Sequence, residues 1–159
     1  MSQPYVQLPQ IQTHLETLGV QLTSESGDSF GDTKAEQLLS QSCGFINGYL
    51  SAARMVSGGT VRRYVLPIPD SATITREILS THTLNVFVAL SMGARLADNA
   101  VVKSLFDATV SWLRMVATSK DALLPTDATT VEVDVDNTAT SGTFLSEPPL
   151  YSATWKRRR

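Results

Sequence analysis

The side chains in this chain that could carry out chemistry are few and widely separated. There is one cysteine, Cys43, and the two histidines are His14 and His82. The acids within Glu132–Asp136 alternate with valines but lack the glycine and the final glutamate of a calcium-binding loop. The sequence contains no phosphate-binding loop ending in Lys-Ser or Lys-Thr, no pair of cysteines and no His-Glu-x-x-His motif. We therefore expect a protein that is not an enzyme and that has no cofactor and no metal.

Taken one by one, these side chains fit structural positions. Cys43 falls on the apolar stripe of a predicted helix, so we expect a small, packed side chain that does not react. His82 lies among apolar neighbours in another predicted helix, where a hydrogen-bonded core or interface histidine is expected. His14 is expected at the surface or partly buried. A single cysteine excludes an intrachain disulfide and favours a reducing compartment.

The amino-terminal residues and the apolar runs predict the compartment. The first residues lack the basic start and apolar run of a signal peptide. No apolar run approaches the roughly 20 residues needed to span a bilayer. The sequence thus predicts a soluble, intracellular protein with no membrane contact.

Charge is distributed unevenly along the chain. The net charge is −2, and it becomes −6 when the four basic residues at the end are left out, namely Lys156, Arg157, Arg158 and Arg159. A basic end on an acidic body indicates a tail that contacts an acidic surface, although a solvated tail that keeps the protein soluble fits equally well. The other basic pair, Arg62 and Arg63, could bind phosphate; pairing with carboxylates or capping of carbonyls is the more usual role between helices.

Four stretches have the apolar spacing of helices. They are Pro9–Leu18, a stretch from Asp32 or Thr33 to Ala53, Ile74–Leu96 and Asp98–Ser119. The third is apolar on nearly every side, so it is expected at the centre with the fourth packed antiparallel on it across a tight Ala97–Asn99 turn. The core is then expected to include Phe87, Leu90, Trp112 and Leu113.

Helix boundaries and breaks follow from caps, glycines and prolines. Gly19 is expected to end the first helix, and Asp98 is expected to cap the fourth. The cap of the third helix is expected from one of three side chains, Asp70, Ser71 or Thr73. Ser57–Thr60 interrupts the helical pattern, and Val61–Pro69 is expected to be extended because each residue before a proline avoids the helical region. Gly44 and Gly48 could allow the backbone of another segment to approach this helix closely. The alternative is that the helix tolerates both glycines without such a contact.

The composition changes after Pro125. Three valines, Val131, Val133 and Val135, alternate with acids in the two-residue period of a half-buried strand that has no obvious mate. The following residues cannot form one helix because of Pro148 and Pro149, and they carry apolar anchors at Phe144, Leu150, Tyr151 and Trp155. We therefore predict a helical domain over 1–125 and, over 126–159, an extended docking arm that binds a partner; the alternative is a tail that folds back on its own domain. The predicted fold class is mainly α, a bundle of about four helices plus this arm with its short β-strand.

Three segments, taken in order, resemble a known family. They are Phe45-Ile46-Asn47-Gly48-Tyr49-Leu50, then Arg63-Tyr64-Val65-Leu66-Pro67-Ile68-Pro69, then Trp112–Ala117 followed by Lys120 and Leu124-Pro125. This arrangement is similar to the Mu-like prophage gene-36 protein family of tailed phages, which is grouped with head-tail connectors. Asn47 stands where that family usually has aspartate, and Ser119 stands where it has glycine. An insertion of about ten residues over Ser51–Val61 separates the first two segments.

The resemblance implies a structural virion protein. It would be a helical adaptor that forms a homo-oligomeric ring, a dodecamer, in the neck between portal and tail, after synthesis in the host cytoplasm. Its partners would be the portal protein and a tail terminator or another neck protein, with non-specific DNA contact in the ring lumen. The expected partner-binding residues are the three valines of the strand, the four apolar anchors of the arm and the four terminal basic residues. The alternative is a nucleic-acid-binding regulator that uses Arg62, Arg63 and the basic end on phosphates.

Overall fold

The computed structural model describes residues 4–20 and 32–133, and within them the chain is mainly helical. Four α-helices are present: α1 Leu8–Leu18, α2 Asp32–Ala52, α3 Thr73–Met92 and α4 Ala100–Thr118. A 3₁₀ segment, Gly93–Asp98, joins α3 to α4, in place of the tight turn that the sequence predicted. Three short strands complete the described part: β1 Met55–Ser57, β2 Thr60–Tyr64 and β3 Thr130–Val133. The predicted fold class, a mainly helical bundle with a short strand near the carboxyl end, is confirmed.

The central position predicted for the third helix is correct. Helices α2 and α4 pack on α3 and on each other, and α1 also contacts α3. Phe87 of α3 and Leu113 of α4 are fully buried, and Trp112 is half-buried beside them. Leu90 was expected in this core but is 38% exposed, because its neighbours cover α3 over Val86–Ala89 and leave the next residue open.

The helix ends show which local signals are reliable. Gly19 ends α1 in the left-handed conformation with φ 64°, as its lack of a side chain predicts. The cap of α4 is Asn99, whose side-chain oxygen accepts a bond from the backbone N–H of Val102 at 3.1 Å. Asp98 was predicted in that role and is wrong by one position, since it is the last residue of the 3₁₀ segment. In α2, Gly44 and Gly48 are exposed with open space around them, so they are tolerated and admit no second described backbone.

The amino terminus of α3 is capped by a distant residue. The Asp127 carboxylate accepts bonds from the backbone N–H groups of Ile74 at 2.8 Å and Thr75 at 3.2 Å, and from the Thr75 hydroxyl at 2.6 Å. These bonds, that of the Thr75 hydroxyl above all, lower the pKa of Asp127. The three predicted local caps are therefore wrong. Asp70 instead pairs with Arg76 at 2.9 Å, and Ala72 holds the cap position without a side-chain bond.

A small antiparallel sheet lies beside the helices. Strands β1 and β2 form a hairpin across Gly58 and Gly59, whose φ values of 59° and 84° suit the turn that joins two adjacent strands. The run from Val61 to Tyr64 is extended, as expected, and it belongs to β2; the pairing across Gly58 and Gly59 was not predicted, since only a break was expected there. Strand β3 pairs antiparallel with β2, with Val131 opposite Arg63 and Val133 opposite Val61. The expectation that the alternating strand has no mate in its own chain is wrong, and residues 126–133 of the predicted arm lie on the body.

The core assignment predicts a contrast between two leucines. We expect Leu113→Ala to lower the free energy of unfolding by about 2–5 kcal/mol, because it empties a filled, fully buried site. Leu90→Ala should cost less than about 1 kcal/mol, because that side chain is already partly in water. Urea unfolding of the two variants measures both. Equal losses for the two would contradict the packing described for α3 and α4.

A second prediction concerns the distant cap. Asp127→Ala should lower the melting temperature, because three donors at the start of α3 lose their acceptor. Asp121→Ala is the matched control, since that carboxylate is exposed and forms no ion pair with a described residue. The cap's contribution is complete at neutral pH and declines as the pH falls through the lowered pKa of Asp127. A melting temperature unchanged from wild type in Asp127→Ala would show that the cap does not stabilise the fold.

Candidate docking surface

The two faces of the sheet have different surroundings. Successive side chains of a strand point to opposite faces, so Met55 and Tyr64 share one face with Arg62 and Glu132, whose side chains are more than half exposed. Met55 and Tyr64 are buried, and the Tyr64 hydroxyl accepts a bond from the backbone N–H of Leu124 at 3.2 Å. This bond ties the inner face of the sheet to the segment that follows α4.

The opposite face is apolar and partly open to solvent, since Val61 and Val133 are half-buried. The register places Val56 beside Val61, Val61 beside Val133, and Arg63 beside Val131, so these five side chains form one surface, here called the valine face. Val56 is 47% exposed and Val131 is 41% exposed. Arg63, also exposed, supplies the one charge of the valine face. An open apolar surface around a single cation suits contact with another protein segment better than it suits catalysis.

One edge of the sheet is also open in the described part of the chain. The strand order is β1-β2-β3, so β3 has β2 on one side and no described strand on the other. The outer edge of β1 is partly covered, because Val56 N–H donates to the carbonyl of Lys120 at 2.8 Å. A strand edge with unpaired backbone groups can accept a further strand. A shallow cavity of about 380 Å³ lies at the end of β2, lined by Ser51, Arg63, Tyr64, Val65, Leu66 and Val131.

The two adjacent arginines differ in their partners. Arg62 forms an ion pair with Glu132 at 3.0 Å across β2 and β3, as expected for pairing with a carboxylate. Both side chains are more than half exposed, so the pair contributes only about 0–1 kcal/mol. Arg63 forms no ion pair with any described residue and remains available to an incoming group. A phosphate site built from both arginines would have to break the Glu132 pair.

The predicted partner-binding residues divide into two groups. Val131 and Val133 are described, and both belong to the valine face. The remaining ones lie outside the described residues: Val135, Phe144, Leu150, Tyr151, Trp155, Lys156, Arg157, Arg158 and Arg159. The structure thus places the start of the predicted arm at the sheet, and the docking role of its later residues stays a prediction.

A second cavity, of about 470 Å³, lies between the amino-terminal segment and α2. Two of its polar groups are engaged in structure: the Tyr5 hydroxyl donates to the side-chain oxygen of Asn47 at 2.5 Å and accepts from Ile68 N–H at 3.3 Å. Cys43 lines the same cavity and is half-buried, and this burial raises the pKa of its thiol. A raised pKa disfavours the reactive thiolate, which agrees with the prediction of an inert cysteine. The cavity offers no activated nucleophile.

The two histidines lie at opposite ends of a chain of polar side chains. His82 Nδ1 lies 3.1 Å from the Thr109 hydroxyl, which also accepts a bond from the Asn85 amide at 3.2 Å. The His82 ring stacks on Trp112, with ring centroids 4.1 Å apart. Asn85 also interacts with the His14 ring, whose Nε2 is buried without a hydrogen-bond partner. Burial lowers the pKa of both histidines, which favours the neutral ring in the folded chain.

One short pattern in the sequence has the letters of a nucleophile elbow. Gly27-Asp28-Ser29-Phe30-Gly31 reads Gly-x-Ser-x-Gly, and it lies outside the described residues. In hydrolases this pattern follows a strand of a mainly parallel sheet, whereas the described strands pair only antiparallel. The letters alone therefore assign no catalytic serine.

Two further kinds of site are not found in the described ranges. No cluster of three or more histidine, cysteine, aspartate or glutamate side chains there could hold a metal ion. None of the helices described above combines the length and the apolar character that crossing a membrane requires. Among the described surfaces, the valine face and the adjoining edge of β3 are the strongest candidate for an interaction.

Comparison of the chain with protein-family models, with curated proteins and with solved structures found no match. The resemblance to the Mu-like prophage gene-36 protein family therefore stays a prediction that rests on the three sequence segments. Function has to be inferred from these segments and from the described surfaces.

The two half-buried histidines predict how stability depends on pH. Because the pKa of each is lowered in the folded chain, the unfolded chain binds more protons once the pH falls below about 6.5, and the free energy of unfolding should decrease between pH 7 and 5. A His14→Gln, His82→Gln double variant should lose most of this decrease. Urea midpoints at pH 7 and pH 5 give the comparison, with Glu16→Gln as a surface control. A decrease of the same size in wild type and double variant would mean that other groups cause it.

Proposed function

We propose that this chain is a structural adaptor subunit from the neck of a tailed phage particle. In this role, copies form a closed ring between the portal and the tail, and the carboxyl-terminal arm of each copy reaches a neighbouring protein. The observation that carries the proposal is the valine face with the open edge of β3, at the point where the chain enters that arm. It is a surface built for protein contact.

The residues of the family resemblance support this role through their positions. Asn47 of the first segment bonds the Tyr5 hydroxyl, which accepts from the backbone of Ile68 in the second segment. Tyr64 of the second segment accepts from the backbone of Leu124 in the third. The three segments that resemble the family are thus joined in one unit that holds the sheet against the helices. They position a surface and contribute no reactive group.

Ring formation sets a requirement that two surfaces of this chain could meet. A closed ring of identical subunits uses a heterologous interface, in which two different patches of each copy contact each other. The valine face is one apolar patch. The arm, with Phe144, Leu150, Tyr151 and Trp155, supplies a second apolar surface of different character. The proposed partners beyond the ring are the portal protein and a tail terminator or other neck protein, and the proposed location is the virion neck.

The alternative, a nucleic-acid-binding regulator, has less support. It needs Arg62 and Arg63 free for phosphates, but Arg62 is already paired with Glu132. The described part of the chain carries about as many acids as basic residues, so it lacks the excess of basic residues that is typical of nucleic-acid-binding domains. For this protein, non-specific contact with DNA in the lumen of the ring has more support than sequence-specific DNA recognition.

The mass of the chain in solution tests the proposal. Light scattering on the full chain should give a large multiple of 17.2 kDa at micromolar concentration, and electron microscopy should show closed particles with a central channel. A variant that ends at Gly142, without the anchors of the arm, should stay monomeric. Its melting temperature should match that of the full chain, because the described core is intact.

Two results would contradict the proposal. One is a full chain that stays at 17.2 kDa at every concentration and also when mixed with a portal ring. The other is tight DNA binding by the monomer in a gel shift that weakens steeply with salt, which would favour the regulator instead.

A further inference from the structure

We infer that residues Thr143–Glu147 of one copy add to the open edge of β3 in the next copy, as a fourth antiparallel strand. This inference rests on the proposed function, because it names the surface that receives the arm within the ring. The receiving surface consists of the β3 edge and the adjoining valine face. The incoming segment reads Thr-Phe-Leu-Ser-Glu and is followed at once by two prolines.

The backbone of β3 can accept the last three residues of this segment, Leu145, Ser146 and Glu147, opposite Val133, Glu132 and Val131. Within the described residues, β3 bonds to β2 on one side only, so the backbone groups on its other side lack a strand partner. An added segment pairs with these groups through main-chain bonds, which set affinity with little dependence on side chains. Pro148 cannot donate to a ladder, so the added strand ends at Glu147.

Side chains give the added strand its register. An antiparallel pairing with Glu147 opposite Val131 also places Leu145 opposite Val133, and all four side chains then lie on the valine face. Leu145 extends the apolar surface. Glu147 lies next to Val131, whose other neighbour in the sheet is Arg63.

Charge supports the same register. Arg63 is the one charge of the valine face and has no ion pair with a described residue. Glu147 is the one charged residue between Thr143 and Trp155. Strands that are two apart in a sheet lie about 9.5 Å from each other, a distance that extended arginine and glutamate side chains can span together over the small side chain of a valine. The single cation and the single anion therefore meet.

The partner is another copy, because the length of the segment after β3 and the symmetry of a closed ring both allow contact between copies. The chain leaves β3 at Val133, and the ten residues from there to Thr143 can extend over about 35 Å. That is close to the roughly 35 Å expected for the diameter of a domain of this size, so the segment can reach the sheet of an adjacent copy. A head-to-tail contact of arm onto sheet repeats from copy to copy, as a ring requires.

A charge swap at Arg63 and Glu147 tests the inference. The variants are Arg63→Glu, Glu147→Arg and the double variant with both changes, and Arg114→Glu serves as a control because it reverses an exposed charge on α4. All should melt like wild type, since Arg63 is exposed without an ion pair. Sedimentation velocity over a concentration series measures self-association of each.

Each single charge reversal should weaken self-association by about tenfold or more, because it places like charges side by side, while the double variant and the control should associate like wild type. Mixing Arg63→Glu copies with Glu147→Arg copies should restore association, because each arm then meets a sheet of opposite charge. Restoration on mixing requires contact between copies. An arm that pairs with the sheet of its own copy still meets a like charge when the second variant is added.

The results that would contradict this inference differ from the results that would contradict the proposed function. If wild type and every variant form the same rings, the arm docks elsewhere, and the adaptor role stands without this contact. If the double variant recovers but mixing does not, the arm occupies the sheet of its own copy, and the inference is wrong. If wild type does not associate at all, both the ring and this contact fail.

Discussion

The carboxylate of Asp127 at the amino terminus of α3 fixes the part of the fold on which the candidate surface depends. It joins residues 52 positions apart and holds the segment that leads into β3 against the bundle. From there, Val65 N–H donates to the Thr129 carbonyl and β3 pairs with β2, which completes the sheet. A two-stranded hairpin is marginal on its own, so the third strand and the buried Tyr64 together give the valine face a stable base.

This small sheet is stabilised unequally on its two sides. The inner side has buried Met55 and Tyr64, with a hydrogen bond to the segment after α4. The outer side leaves Val56 and Val131 partly in water, where burial of the exposed part of each by a partner would be worth about 1 kcal/mol. The inner side therefore anchors the sheet to the bundle, and the outer side retains apolar surface that association can remove from water. An adaptor that is stable alone and gains further contacts on assembly has this division of roles.

The sequence was sufficient for features that depend on neighbouring residues. Apolar spacing placed the four helices within a few residues, and alternation placed Val131 and Val133 on a strand. The Gly58-Gly59 pair is a hairpin signal, and the prolines that follow Tyr64 indicated an extended segment. The pairing of β2 was nevertheless missed, because Arg62-Arg63 concealed the alternation of apolar and polar residues that is typical of a strand. The mate of β3 and the cap of α3 could not be predicted, because each brings together residues more than 50 positions apart. Asp98 was predicted as the cap in place of Asn99 because a one-residue shift of a helix end leaves the apolar pattern unchanged. Leu90 was predicted in the core because the same pattern does not show which residues of the last turn of α3 remain exposed.

Amide hydrogen exchange along β3 tests the central claim, that the open edge of the sheet is where copies meet, most directly. The full chain and a chain ending at Gly142 would be compared at a concentration where the full chain associates. We expect the β3 amides that do not bond to β2 to exchange at least about tenfold more slowly in the full chain, because an added strand accepts their hydrogen bonds. Equal exchange rates for these amides in associated full chain and truncated chain would show that the edge stays open, and the account of this surface would be wrong.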